Sequence, residues 1–77
     1  MKLSDLEASR IEKIVVTRRG GRMRTIHASK EAKDVAYFLK KHGSVFVDWL
    51  ESERRWVSVK PSSDYVAFRI AVKEPAL

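Results

Sequence analysis

Hydrophobic residues alternate with polar ones on both sides of a Gly-Gly pair, which is typical of two short strands. Glycine adopts the positive φ that tight hairpin turns require, so the turn is expected at Gly20 and Gly21. With a two-residue loop, Arg19 lies opposite Arg22, and Val15 lies opposite Ile26. The pattern therefore predicts a β-hairpin whose end is rich in arginine.

Residues 29–43 carry the clearest helical pattern. Ser29 suits the N-cap and Gly43 the position after the C-cap. The spacing i, i+3, i+4, i+7 defines an apolar stripe; its members are Ala32, Val35, Ala36 and Leu39, widened by Phe38. Lys30 and Lys33 lie on the opposite side, where a solvated helix surface is the favoured interpretation and phosphate contact is the alternative.

Three further strands are predicted at residues 45–50, 55–60 and 65–72, separated by a polar loop and by a Pro-containing turn. A register that pairs Lys60 with Tyr65 and Val47 with Val57 places the aliphatic residues on an inner face, toward the helix. The opposite, outer face then carries Phe46, Trp56, Lys60, Tyr65 and Arg69.

The segment from Ser4 to about Arg10 is predicted as a short helix, since Ser4 and Glu7 have capping-box spacing. The fold class is therefore α+β in two layers. It comprises a short N-terminal helix, a basic β-hairpin, and one amphipathic helix packed on an antiparallel or mixed sheet of about five strands (α-ββ-α-βββ). Its element order is similar to that of a β-grasp. Residues 1–77 form one small domain, with residues 1–10 as a helix or arm and residues 73–77 as a tail.

The positive charge is concentrated in one part of the chain. The 77 residues have a net charge of +6. Residues 10–42 hold ten Lys or Arg and three Asp or Glu, whereas residues 43–77 hold five of each. A one-sided basic field is typical of nucleic-acid binders, and it also suits an acidic protein partner or an anionic membrane surface.

The composition sets the expected environment. The chain has no Cys, which excludes disulfides and thiolate metal sites. Asn and Gln are also absent, and with abundant Lys, Arg and Glu this predicts a thermophilic source. The N-terminal residues lack the apolar region of a signal peptide, and no apolar run reaches membrane-spanning length, so a cytoplasmic protein without membrane contact is expected.

The motifs do not predict an enzyme. Gly20 and Gly21 lack the spacing of a phosphate-binding loop. His27 and His42 are not spaced as metal ligands, and no carboxylate pair is indicated. Catalytic residues, metal ligands and cofactors are therefore not assigned.

Four arginines form what we call the arginine tip: Arg18, Arg19, Arg22 and Arg24. Like charges opposite each other destabilise a sheet. A polyanion would relieve this repulsion because guanidinium groups match phosphate geometry. The alternative is a solvated hairpin end that discourages edge-to-edge aggregation.

The outer face is the second candidate surface. Aromatic rings among cations on an open sheet form a stacking platform for unpaired bases, here Trp56, Tyr65, Lys60 and Arg69. The alternatives are cover by the N-terminal helix or burial in a dimer.

The sequence thus predicts a small nucleic-acid-binding protein that favours RNA or single strands over duplex DNA. The alternative is a protein–protein interaction module, or a homodimeric structural subunit, that docks an acidic partner. A subunit of a larger ribonucleoprotein complex would combine both.

Overall fold

The fold was analysed in a computed structural model, which describes residues 1–59 and 67–73. Two 3-10 turns, Leu3–Asp5 and Ala8–Arg10, precede strands β1 (Ile11–Thr17) and β2 (Met23–His27). Helix α1 (Ala32–Lys41) follows. Strands β3 (Val47–Leu50), β4 (Arg55–Ser58) and β5 (Ala67–Val72) complete the described elements.

The five strands form one sheet in the order β2-β1-β5-β4-β3, and every pairing is antiparallel. Helix α1 packs on one face of this sheet, which confirms an α+β fold with one helix on five strands. The mixed-sheet alternative is wrong. In this respect the sheet also differs from that of a β-grasp, because its first and last strands pair antiparallel.

The hairpin contains a three-residue loop, not the predicted two-residue loop. Arg18 N–H donates to the Arg22 carbonyl at 2.7 Å, and Gly21 N–H donates to the Arg18 carbonyl at 3.1 Å. Gly20 and Gly21 have φ of +88° and +83°, values that favour glycine at both positions. The predicted pairing of Arg19 with Arg22 is therefore wrong.

Core packing explains this register. Ile14 pairs with Ile26, and both side chains are buried on the inner face. A shift of one residue moves a whole strand's side chains to the other face of the sheet. In the predicted register Ile26 would lie opposite Val15, which is only half-buried, so the observed register buries more apolar surface.

The register of the remaining strands also differs by one residue. Trp56 pairs with Trp49 on β3 and with Ile70 on β5, so it lies on the inner face with the buried Ile70. The predicted outer position of Trp56 and inner position of Val57 are wrong. The loop after β3 has four residues, 51–54, and closes with Arg54 at φ +53°; the prediction assumed three.

Helix α1 begins and ends close to the predicted positions. Its N-cap is Glu31 and not Ser29. It buries Val35, Phe38 and Leu39, and the Phe38 ring meets the buried Phe68 ring edge to face at 5.0 Å. The predicted apolar stripe therefore contacts the sheet, although Ala32 and Ala36 at its margin are exposed.

The N-terminal segment contains two 3-10 turns in place of the predicted α-helix. Leu3 is fully buried, and backbone hydrogen bonds join Leu3 to Val45 and Val47 to Met1, both at 2.8 Å. A side chain at Gly43 would place its Cβ 3.1 Å from the Ser4 Cβ, so glycine permits this close approach. Among the described residues, no helix is long and apolar enough to cross a membrane.

The hairpin register predicts that Ile26 and Thr25 contribute very differently to stability. Ile26→Ala should lower the free energy of unfolding by about 2–5 kcal/mol, as expected for a large-to-small change in a core. Thr25→Ala, on the exposed outer face, should change it by about 0.5 kcal/mol. Urea unfolding followed by tryptophan fluorescence measures both, and equal losses would contradict the register.

Candidate anion-binding groove

A groove of about 210 Å³ lies between the hairpin and helix α1. Its floor is apolar and consists of Val16, Ile26 and Phe38, all buried in the core. Charged and polar side chains from the two elements form its walls. We call this site the basic groove; its polar residues are Arg18, Arg24, Asp34, Tyr37, Lys41 and His42.

Strand alternation supplies the arginines of the basic groove. Val16 and Ile26 point toward the helix, so Arg18 and Arg24, each two residues away along its strand, point the same way. Arg24 pairs with Val16, and Arg18 lies opposite Arg22 across the end of the ladder. The strands therefore line one wall of the groove with guanidinium groups.

Helical periodicity supplies the other wall. Asp34, Tyr37 and Lys41 have the spacing i, i+3, i+7 and form a row along one side of α1. This row flanks the buried stripe, so its side chains reach the groove from the helix side. The Tyr37 side chain is 65% exposed, and its ring is open to a ligand.

The side chains that line the groove carry more positive than negative charge. Arg18, Arg24 and Lys41 are positive, and Asp34 is negative. Outside the groove, Glu31 forms an ion pair with Arg24, with 3.5 Å between Oε2 and Nη2. Exposed pairs of this kind contribute about 0–1 kcal/mol, so an incoming anion can replace Glu31 at little cost.

The predicted site residues divide into several groups. Arg18 and Arg24 lie in the groove, and Arg22 is next to it on the hairpin. Arg19 lies in the three-residue loop, and Lys30 precedes α1; both are exposed. Lys33 is exposed on the side of α1 away from the sheet.

The predicted outer-face platform is not assembled as expected. Trp56 packs on the inner face, where its ring meets the Trp49 ring at 5.4 Å. Arg69 is exposed on the outer face and pairs with Glu53 at 3.6 Å. Lys60 and Tyr65 lie outside the described residues, so this part of the prediction stays untested.

The helix side of the groove is absent from the residues predicted from the sequence. The structure adds Asp34, Tyr37 and Lys41 to the site. Their contribution depends on which side of α1 borders the hairpin, and this is decided by tertiary packing.

A second cavity of about 390 Å³ lies at the other end of the inner face. Trp49 and Trp56 line it together with Leu6 and Val72, and the Trp49 indole donates a hydrogen bond of 2.6 Å to Glu51. Asp5, Glu7 and Arg10 also line this cavity, so it lacks the excess positive charge of the basic groove.

No family model, curated protein or solved structure matches the chain. In the part of the chain that the structure describes, His, Asp and Glu side chains do not assemble into a group that could hold a metal ion. Charge and shape of the groove are thus the observations on which a functional argument rests.

The basic groove should bind small polyanions. Tripolyphosphate at ten times its dissociation constant should stabilise the folded protein by about 1.4 kcal/mol, which raises the melting temperature by roughly 6–11 °C in a domain of this size. The double variant Arg24→Ala/Lys41→Ala should lose most of this shift in a thermal melt.

The matched control is Lys13→Gln/Lys73→Gln, which removes the same charge from positions outside the groove. This control should retain the tripolyphosphate shift. If both double variants lose the shift equally, overall charge and not the groove would account for it.

Proposed function

We propose that this protein is a non-enzymatic nucleic-acid-binding protein that favours RNA or single strands and holds phosphates in the basic groove. The observation that carries the proposal is the convergence of Arg18, Arg24 and Lys41 around one groove. Arg22 and Arg19 extend this positive surface along the hairpin. Lys30 and Lys33 do not line the groove, and phosphate contact at these two lysines stays a prediction from the sequence.

Repulsion between the clustered arginines destabilises the hairpin, and this supports a binding role for them. Arg18 and Arg22 lie opposite each other, and like charges in that arrangement destabilise a sheet. Arginine rather than lysine occupies all four positions of the arginine tip, and guanidinium groups bind phosphate oxygens in a bidentate manner. A bound phosphate backbone would reverse the repulsion.

The preference for unpaired strands rests on Tyr37. Its exposed ring borders the groove, and a base can stack on such a ring only when it is not already stacked within a duplex. Tyr37 thus takes the place of the predicted stacking platform on the outer face, because Trp56 lies on the inner face. The thermophilic source and the cytoplasmic location remain expectations from the sequence.

Salt dependence tests the phosphate contacts. Arg18→Ala/Arg24→Ala should weaken binding of a mixed-sequence single-stranded RNA and flatten the plot of log affinity against log salt by about 1.4, because each single-strand contact contributes about 0.7. Fluorescence anisotropy at several salt concentrations measures both quantities.

The control for this experiment is again Lys13→Gln/Lys73→Gln, which has the same net charge as the double arginine variant. It should keep the wild-type slope. An unchanged slope in Arg18→Ala/Arg24→Ala would remove the groove from the proposed function, and absence of binding by the wild type at low salt would refute nucleic-acid binding.

A specific observation also favours the alternative function, a protein interaction module or homodimer. Phe46 and Val59 are cross-strand neighbours joined by a hydrogen bond of 3.0 Å, and they are 56% and 48% exposed. Leu50 is also exposed on β3. Exposed apolar clusters of this kind mark interaction surfaces.

Light scattering distinguishes a homodimer from a monomer. If β3 forms a homodimer, the wild type should have twice the monomer mass, and Phe46→Ser/Leu50→Ser should have the monomer mass while remaining folded by circular dichroism. A monomeric wild type at high concentration would contradict the homodimer and leave a different protein as the only candidate for this surface.

A further inference from the structure

We propose, on the basis of the proposed function, that the basic groove recognises a guanine base in the bound strand. Asp34 would accept hydrogen bonds from the guanine, arginine would donate to it, and Tyr37 would stack on it. The groove would therefore recognise one base and also bind phosphate groups.

The donor and acceptor pattern of the groove carries this inference. Guanine has two adjacent donors, N1–H and the N2 amine, which match the two oxygens of a carboxylate. It also has two adjacent acceptors, O6 and N7, to which arginine binds in a bidentate manner. Asp34 on the helix wall and Arg18 and Arg24 on the strand wall supply both complements.

Other bases fit this pattern less well. Adenine and cytosine each offer a carboxylate only one amine group, and uracil offers only one N–H. Adenine would also direct its N6 amine, a donor, toward the guanidinium groups, which are donors themselves. The charge of Asp34 is unfavourable for phosphate, so a purely phosphate-binding groove would not be expected to contain it.

The dimensions and position of the groove suit one nucleotide. Its volume of about 210 Å³ is below the roughly 300–1,000 Å³ of pockets for drug-sized ligands, which is appropriate for a single base. The exposed Tyr37 ring precedes Lys41 by four residues on the same row of α1. A base stacked on Tyr37 would therefore have its phosphate within reach of a cation.

The test measures base preference with defined RNAs. Fluorescein-labelled oligouridines of roughly eight nucleotides, within the site size of one small binding domain, carry a single central G, A or inosine. The wild type should bind the G oligomer roughly 5- to 100-fold more tightly than the A oligomer, the range expected for one bidentate base contact. Inosine lacks the N2 amine and should give an intermediate affinity.

Asp34→Asn should reduce the preference for G over A, because it removes the carboxylate that accepts from N1–H and N2 while the arginines still bind O6 and N7. The matched control is Asp48→Asn, which removes the same charge from an exposed aspartate of β3, on the outer face. Both variants should gain affinity for all oligomers through net charge, but only Asp34→Asn should show a smaller preference for G. Circular dichroism and thermal melts establish that both variants fold.

The outcomes separate this inference from the proposed function. Salt-dependent binding with equal affinity for G and A, or a G preference that Asp34→Asn leaves unchanged, overturns the guanine site and leaves phosphate binding intact. Absence of binding to every oligomer at low salt overturns both. A G preference that Asp34→Asn reduces and Asp48→Asn retains supports both.

Discussion

The register of the β1–β2 hairpin is the constraint on which the candidate site depends. Gly20 and Gly21 both adopt positive φ, and the resulting three-residue loop pairs Ile14 with Ile26 in the core. The same register directs Arg18 and Arg24 toward the helix, because side chains two residues apart along a strand share a face. Burial of Ile14 and Ile26 thus fixes the positions of Arg18 and Arg24. The packing of the core therefore determines where the positive charge of the groove lies.

The kinds of elements after residue 10 could be predicted from the sequence, whereas the N-terminal 3-10 turns and the registers of the strands could not. The stripe of Val35, Phe38 and Leu39 identified the helix, and β-branched runs identified the strands. The predicted loop lengths were wrong at both hairpins. In the first hairpin, glycine permits loops of either two or three residues. In the second, Arg54 adopts a positive φ, which is unusual for a residue with a side chain. Trp56 and Val57 place apolar side chains on opposite faces of β4. The hydrophobic pattern therefore does not show which face of this strand points toward the helix.

The candidate site was predictable only on its strand side. The concentration of arginine drew attention to the hairpin, since like charges there need an explanation. The helix contribution depends on which flank of α1 borders the hairpin, and that is a tertiary property. Phe38 fixes it, because its ring packs on Phe68 of β5 and directs the row of Tyr37 and Lys41 along the groove. No local pattern in the sequence encodes this orientation.

The carboxylates around the groove clarify what kind of binding it favours. In the free protein Glu31 pairs with Arg24, and Asp34 lines the groove together with Arg18, Arg24 and Lys41, so both acids lower the net positive charge at the site. In the proposed complex both carboxylates would repel phosphate and lower the affinity for any polyanion. A base that donates hydrogen bonds to Asp34 would offset this loss, whereas a base that cannot do so would not. Specificity is a difference between affinities, and under this proposal the acids would create that difference by weakening non-cognate binding.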